Sequence, residues 1–326
     1  MIFDLHCDTL YELWKRKKSG LSASLRESDL AVDEKKLFRG GYTAQCFAAW
    51  VTEKCENPYG ACLEMIDIFC SEVGKSDLLA PVCCYSDIEK NRNEGKISAI
   101  LSLEDTVAIG TDMERLYTLY ERGVRMIGLV WNYPNGVGYP NLNNNIPRNE
   151  FTNRTPNEKD GLTAFGCELI REMNRLGVVI DVSHLSDAGF YDVARISNKP
   201  FLASHSNSRA VCPHVRNLSD AMLKVLAECG GAVGINYCAA FMDSDTDRGN
   251  KTAECAIRHI KHIVGLIGCD HIALGSDFDG IPKGTEIDSA DGMPKLVRAL
   301  EKCGFSENEI EKITYKNALR VFRENL

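Results

Sequence analysis

The chain has no C-x-x-C pair, no glycine-rich turn after its first hydrophobic stretch, and no apolar run near the ~20 residues a membrane span requires. Each absence removes a class. Without paired thiols or an export signal, the fourteen cysteines read as small buried hydrophobes in a reducing compartment, not as a disulfide framework. Positive charge is also scarce. With 38 Lys and Arg against 46 Asp and Glu, the net charge is −8, which leaves no cation excess for nucleic-acid phosphates. Residues 1–18 show neither the basic start nor the apolar core of a secretory signal. The expected location is therefore the cytoplasm, with no membrane partner. A doubly wound nucleotide-binding sheet would carry its glycines after the first strand, where His6-Cys7-Asp8-Thr9 stands instead.

What is present is an alternation of apolar strands and amphipathic helices over 326 residues. Strand-like runs begin with residues 2–10 (IFDLHCDTL) and continue at 42–51, 97–103, 124–131, 178–183, 201–204, 230–236 and 271–278. Helical periodicity occupies the intervals, most clearly at 162–176 and 252–267. Two helices close the chain, the second opened by a capping box of Ser306 and Glu309. Eight strands alternating with helices predict a (β/α)8 TIM-like barrel. It is read as one domain, residues 1–326, with C-terminal helices (about 291–326) packed on it. Residues 132–160, rich in Asn, Pro and Gly, break the rhythm. A loop of that length suits a cover over a site.

In such a barrel the chemistry gathers where the strands end. Those ends carry His6, Asp8, Glu104, Trp131, His184, His205 and Asp277. His6 and Asp8 are two apart, so a strand would project both to one face, with Cys7 opposite. Imidazoles mixed with carboxylates suit zinc or a similar divalent ion. A bridging carboxylate lets two ions sit ~3.5–4 Å apart and hold a hydroxide between them at neutral pH. Each residue has a plainer reading. Asp8 could cap a helix, Glu104 could pair with an arginine, His184 could cap the helix near Ser186, and Asp277 could shape a turn beside Gly280. Three of the seven histidines at strand ends favour the metal.

The motifs DLHCDTL, GLTAFGCELIREMNRLGVVIDVSHLSD, FLASHSNSRAVCPHVRNLSD, GGAVGIN, ALGSDFDGI and YKNALRVFREN occur in that order. With the strand ending in Glu104, they make nearly the whole chain resemble the renal (membrane) dipeptidase family of zinc peptidases, within the amidohydrolase superfamily. The resemblance implies a dipeptidase with two Zn²⁺ ions, tolerance of a C-terminal D-residue being left open. It implies that His6 and Asp8 bind the first zinc, that His184 and His205 bind the second, and that Glu104 bridges both. Asp277 would touch the first site and take a proton from the attacking water, so it and Glu104 are the expected catalytic carboxylates. Arg216 matches the arginine that holds the substrate and its developing charge. A homodimer is also implied, while the membrane anchoring of animal members is not carried over.

Three departures bear on the substrate. Trp131, followed by Asn132, stands where the best-known members have a substrate-contacting histidine, which makes both candidate substrate-binding residues. Asp105-Thr106 replaces a Gly-Gly after the bridging glutamate, with an expected gain of charge and bulk near the metals. Tyr237-Cys238 follows the asparagine of the seventh strand. Hydrolysis of N-acyl amino acids or lactones on the same metals is the alternative, and a catalytically silent binding protein a more distant one. His259 and His262 read as members of a charged helix face, and His271 precedes a strand. His214 is a loop residue that could also stand behind the ligands, and Asp279 either stands behind the ligands or shapes a turn, not binding metal itself.

Overall fold

The computed structural model describes residues 1–52, 54–142 and 155–326, so much of the expected 132–160 cover lies outside the described residues. Nine strands form one parallel sheet: β1 (Ile2–Asp4), β2 (Tyr42–Trp50), β3 (Leu79–Pro81), β4 (Ile97–Glu104), β5 (Val124–Gly128), β6 (Val179–Asp181), β7 (Leu202–Ser206), β8 (Ala232–Ile235) and β9 (Ile272–Leu274). Their order, β2-β1-β9-β8-β7-β6-β5-β4, is closed by pairing of β2 with β4. Eight strands thus complete the expected (β/α)8 barrel.

The ninth strand was not anticipated. β3 pairs with the first residues of β4, over Ile97 to Ala99, on the edge that β5 takes over from Leu101. Three residues ending in proline are too few to show a period. The first strand is also shorter than read, because β1 stops at Asp4. His6 and Asp8 therefore lie beyond the strand. The N–H groups of Leu5 and Asp8 still donate to the carbonyls of Leu274 and Phe278, at 2.9 and 2.8 Å, which keeps the segment alongside β9.

Alternation along the strands decides what faces the barrel axis. In β4, Ile97, Ala99, Leu101 and Leu103 pack outward in the large core shared with the helices, whereas Ile100 belongs to the inner core. Glu104, an even number of residues past Ile100, completes that inner row at the strand's C-terminal end. The same count along β2, from Ala44 and Cys46 in the inner core, brings Trp50 to the mouth.

The opposite end is sealed by the last helical run. It comprises Glu307–Glu311, a π-helical turn at Lys312–Lys316 and a helix at Asn317–Asn325. Its capping box forms, with Glu309 Oε2 accepting from the Ser306 N–H at 2.8 Å. Tyr315, Ala318, Val321 and Phe322 pack on Phe3, Val179, Leu202, Ala232 and Ala273, the first or second residues of their strands. The Phe3 and Phe322 rings lie 5.1 Å apart.

Candidate active site

Glu104 stands at the centre of the mouth and is buried with both of its oxygens facing imidazoles. Oε1 lies 3.1 Å from His184 Nε2 and 3.5 Å from His205 Nε2, while Oε2 lies 3.6 Å from His6 Nε2. His6 Nε2 is in turn 3.3 Å from Asp8 Oδ2 and 3.7 Å from Asp277 Oδ1. The Nε2 atoms of His184 and His205 are 3.0 Å apart. One carboxylate therefore spans two donor groups, His6 with Asp8 and Asp277 on one side and His184 with His205 on the other.

Hydrogen bonds behind the ring nitrogens settle what Nε2 can do. His184 Nδ1–H donates to Asn132 Oδ1 at 2.7 Å. His205 Nδ1–H donates to Ser204 Oγ at 2.7 Å, and that hydroxyl donates to Asp181 Oδ2 at 2.5 Å. Asp181 Oδ1 also accepts the N–H groups of Ser183 and Ser204. With Nδ1 protonated and engaged, each Nε2 keeps a lone pair for a cation. Asp8 Oδ1 is buried with no hydrogen-bond partner among the described residues, as a carboxylate meant for a metal would be. The residues present fit a pair of divalent ions.

Backbone distortions put these groups in place. In β7, Ala203 pairs with Val233 and Ser206 with Ile235, so one extra residue is inserted. Ser204 reaches Asp181 from this bulge, and His205 also turns into the mouth. The bulge drives the Ser204 carbonyl towards the neighbouring strands, where a Cβ on Gly234 or Gly275 would meet its oxygen at 1.9 or 1.7 Å. Only glycine fits there. Among the described residues, four non-glycines have positive φ: Asp105 (73°), His184 (68°), Asp277 (63°) and Asp279 (66°). All four lie just beyond strand ends at the mouth, the left-handed conformation being one that functional sites retain at some cost.

Burial works against charge on His6, yet Glu104, Asp8 and Asp277 together lift its pKa to about 10. Burial, aided by Asp8, raises Asp277 to about 7 and pushes Glu104 well above the usual carboxylate range. Burial also holds His184 and His205 well below the ordinary imidazole value, with His6 and Arg216 adding repulsion. A site so crowded with acid on one side and neutral imidazole on the other is poised to take cations.

The capping readings of Asp8 and His184 fail, while the turn reading of Asp277 holds without taking its side chain from the site. Asp8 precedes the helix Thr9–Lys18 but makes no side-chain cap bond. Ser186, not His184, caps the helix Asp187–Ile196 by accepting from the Gly189 N–H at 2.9 Å. Asp277 does shape a turn, its carbonyl accepting from the Gly280 N–H at 3.1 Å. Its side chain faces the site nonetheless, with Oδ2 held by Asn236 Nδ2 at 2.9 Å.

A cavity of 390 Å³ opens above these groups, walled by Trp50, Trp131, Asn132, His214, Arg216 and Phe241 among others. That is the small end of the range for ligand pockets. Arg216 is 3 % exposed; its Nη2 donates to the His205 carbonyl at 3.2 Å, and its Nε is buried without a partner among the described residues. A Cβ on Gly280 would come within 2.0 Å of Asp8 Oδ2, so the floor beside the first donor group admits no side chain.

Residues 1–325 match the family described as membrane dipeptidase, peptidase family M19. The chain belongs to that family. An uncharacterised dipeptidase of Schizosaccharomyces pombe is 32% identical, the match covering 99% of this chain and 80% of that protein. A metallopeptidase of Rhodobacter sphaeroides, solved with a phosphinate mimic of the dipeptide L-Ala-D-Ala, superposes with a TM-score of 0.89 at 27% identity, over 100% of this chain and 99% of the other. Dipeptidase AC, a metallopeptidase of the same family, gives a TM-score of 0.88 at 28% identity over 99% and 98% of the two chains.

Within this dipeptidase scaffold some expectations change. Asp105 does not add charge to the cavity. It is fully buried, takes the φ of 73° that a glycine would adopt freely, and accepts from Asn135 Nδ2 at 2.6 Å. Thr106 Oγ1 likewise turns away, donating to the Leu129 carbonyl. Tyr237 is buried with its hydroxyl on Met293 Sδ, and only Cys238 of that pair lines the cavity. His259 is not on a charged face. It is wholly buried, accepting the Ser208 N–H at Nδ1 and donating from Nε2 to the Met242 carbonyl. His262 pairs with Asp220, and His271 donates to the Gly231 carbonyl. His214 Nδ1 accepts the Arg216 N–H at 3.1 Å. Asp279 ties the Thr9 hydroxyl and the Ala31 N–H to the loop after β9. Missed altogether were Trp50 and the Asp181–Ser204 pair. Trp50 could have been found, because it ends a strand in register with Glu104.

Proposed function

We propose that the barrel mouth is the active site of a dipeptidase that works with two divalent ions, zinc in the first instance. His6, Asp8 and Asp277 would hold one ion, His184 and His205 the other, and Glu104 would bridge them. The reading rests above all on the Glu104 carboxylate, whose two oxygens face the two donor groups separately. When bound, such ions polarise a carbonyl and make water a competent nucleophile at neutral pH.

The protein's own groups then have distinct work. Asp277, held through Oδ2 by Asn236 with Oδ1 directed to the site, accepts the proton of the attacking water. It returns that proton to the leaving amine. Arg216, a buried cation that cannot lose its charge, holds the substrate carboxylate by charge-assisted hydrogen bonds. Asn132 and the Asp181–Ser204 pair keep His184 and His205 in the tautomer the metals need. Trp131 and Asn132 border the substrate. The L-Ala-D-Ala mimic bound by the Rhodobacter sphaeroides relative makes a D-residue at the second position the first stereochemistry to try. A reducing, cytoplasmic setting is part of this proposal, on the fourteen scattered cysteines without a C-x-x-C pair. No described helix is long and apolar enough to cross a membrane.

Metal analysis beside a dipeptide assay tests this reading. The purified protein is expected to hold close to two ions per chain, and chelation should abolish hydrolysis until metal is restored. Full activity after exhaustive metal removal would sink it.

A further inference from the structure

The lining of the mouth changes character from one side to the other. In the closed order β1-β2-β4-β5-β6-β7-β8-β9, β2 stands diametrically opposite β7. Arg216 follows β7 in the chain and is the one Lys or Arg on the cavity wall among the described residues. Trp50 ends β2, and Tyr11, from the helix after β1, and Trp131, after β5, line the cavity packed on it. The Trp50 ring lies 4.9 Å from Trp131 and 4.7 Å, edge-on, from Tyr11. Tyr133 backs Trp131 at 5.7 Å. Trp50 Nε1 is buried with no hydrogen-bond partner among the described residues, so this wall offers a ligand mostly ring carbon. The acids Asp8 and Glu12 flank Tyr11 on the same segment and also line the cavity.

We infer that this aromatic wall receives the side chain of the first residue of a dipeptide, so that substrates beginning with an aromatic or large aliphatic residue are favoured. The inference rests on the dipeptidase reading above. A dipeptide with its carboxylate on Arg216 and its scissile carbonyl over Glu104 extends its first residue away from β7, towards β2. There the ammonium meets Asp8 and Glu12, and the side chain meets Trp50 and Trp131. Two indoles braced by two tyrosines form a rigid face, and ring-on-ring contact adds to what area burial alone supplies. A histidine in place of Trp131 would leave that face smaller and hydrated.

The test uses the metal-loaded full chain with Gly-Ala, Ala-Ala, Leu-Ala and Phe-Ala, and with the reversed set Ala-Gly, Ala-Leu and Ala-Phe. Phe-Ala should exceed Gly-Ala in kcat/KM by on the order of 30-fold, chiefly through KM, while the reversed set spans about 5-fold or less. Trp131→Ala and Trp50→Leu should each shrink the Phe-Ala to Gly-Ala ratio roughly tenfold. Trp131→Phe, which keeps a ring, should preserve most of it. Circular dichroism and metal content confirm that each variant is folded and loaded, and Trp131→His stands in for any that is not, with the ratio again expected to fall. A flat first-residue profile, or a preference unmoved by these variants, overturns the inference and leaves dipeptide hydrolysis standing. Metal-loaded protein that turns over no dipeptide at all overturns the underlying reading instead.

Discussion

The two ends of this barrel are built from the same eight strands on opposite physical principles. At the N-terminal end, Phe3, Val179, Leu202 and Ala232 meet Tyr315 and Phe322 in a dry apolar seal. At the C-terminal end the same strands run out into the six buried candidate ligands, His6, Asp8, Glu104, His184, His205 and Asp277, and into four strained backbone positions. The lower end gains from burying carbon. The upper end holds acids and imidazoles that burial alone disfavours. Stability and chemistry are thereby separated by the length of a strand, and a substitution should damage one or the other according to where it falls.

The largest expected effect lies at the mouth. Glu104→Gln should lower kcat/KM by on the order of 10³-fold or more, with metal content falling below that of the wild type. Metal-free Glu104→Gln should melt no lower than the metal-free parent, because burial and the neighbouring Asp8 and Asp277 already oppose the charge on Glu104. A large loss of melting temperature would place Glu104 in the stability half and break the comparison. Phe322→Ala is the converse. It empties a fully buried ring site against Phe3 and should cost about 3–5 kcal/mol in denaturant unfolding. Turnover per folded molecule should be spared.

The two ends also differed in how much of them could be read beforehand. The lower seal and the strands follow from apolar periodicity, and the ligand-type residues from their positions at strand ends. Four kinds of detail were hidden. The β7 bulge is invisible to a count of alternating residues, although Gly234 and Gly275, which accommodate it, are present in GGAVGIN and ALGSDF. Positive φ at His184 and Asp277 leaves only a faint trace in residue type: Asp and His enter that region more readily than other side chains, but glycine is its usual mark. β3 is too short to show a period. His259 misled because charged Arg258 and Lys261 surround it, yet it sits three residues after Ala256 and four before Ile263, on the buried stripe of its helix.

That histidine gives the next prediction. Burial lowers its pKa from 6.5 to about 4, and its two hydrogen bonds fit only the neutral ring. The unfolded chain takes up the proton first as pH falls, so stability is full above pH 6.5 and is lost progressively down to about 4. The loss from this one group approaches 3 kcal/mol. Unfolding curves of His259→Gln, which can still donate and accept, should show a correspondingly shallower decline between pH 7 and pH 4. Equal slopes in the two proteins would mean that the ring is not held neutral.

The smallest effect sharpens the comparison within the mouth itself. His184 is steadied by a neutral amide, Asn132, whereas His205 is steadied through Ser204 by the Asp181 carboxylate. A carboxylate at the end of that chain polarises the Ser204 hydroxyl and makes the His205 ring the more basic ligand. Ser204→Ala cuts the link without replacing a candidate ligand, and it leaves Asp181 Oδ1 its bonds to the backbone at 183 and 204. Metal titration should then show one of two sites weakened by about 10–100-fold, with the other unchanged and the melting curve of the metal-free protein moved little. Asn132→Ala should weaken the same site by less. If both variants lowered the affinity of both sites equally, Glu104 would be coupling the two donor groups so tightly that they act as a single site.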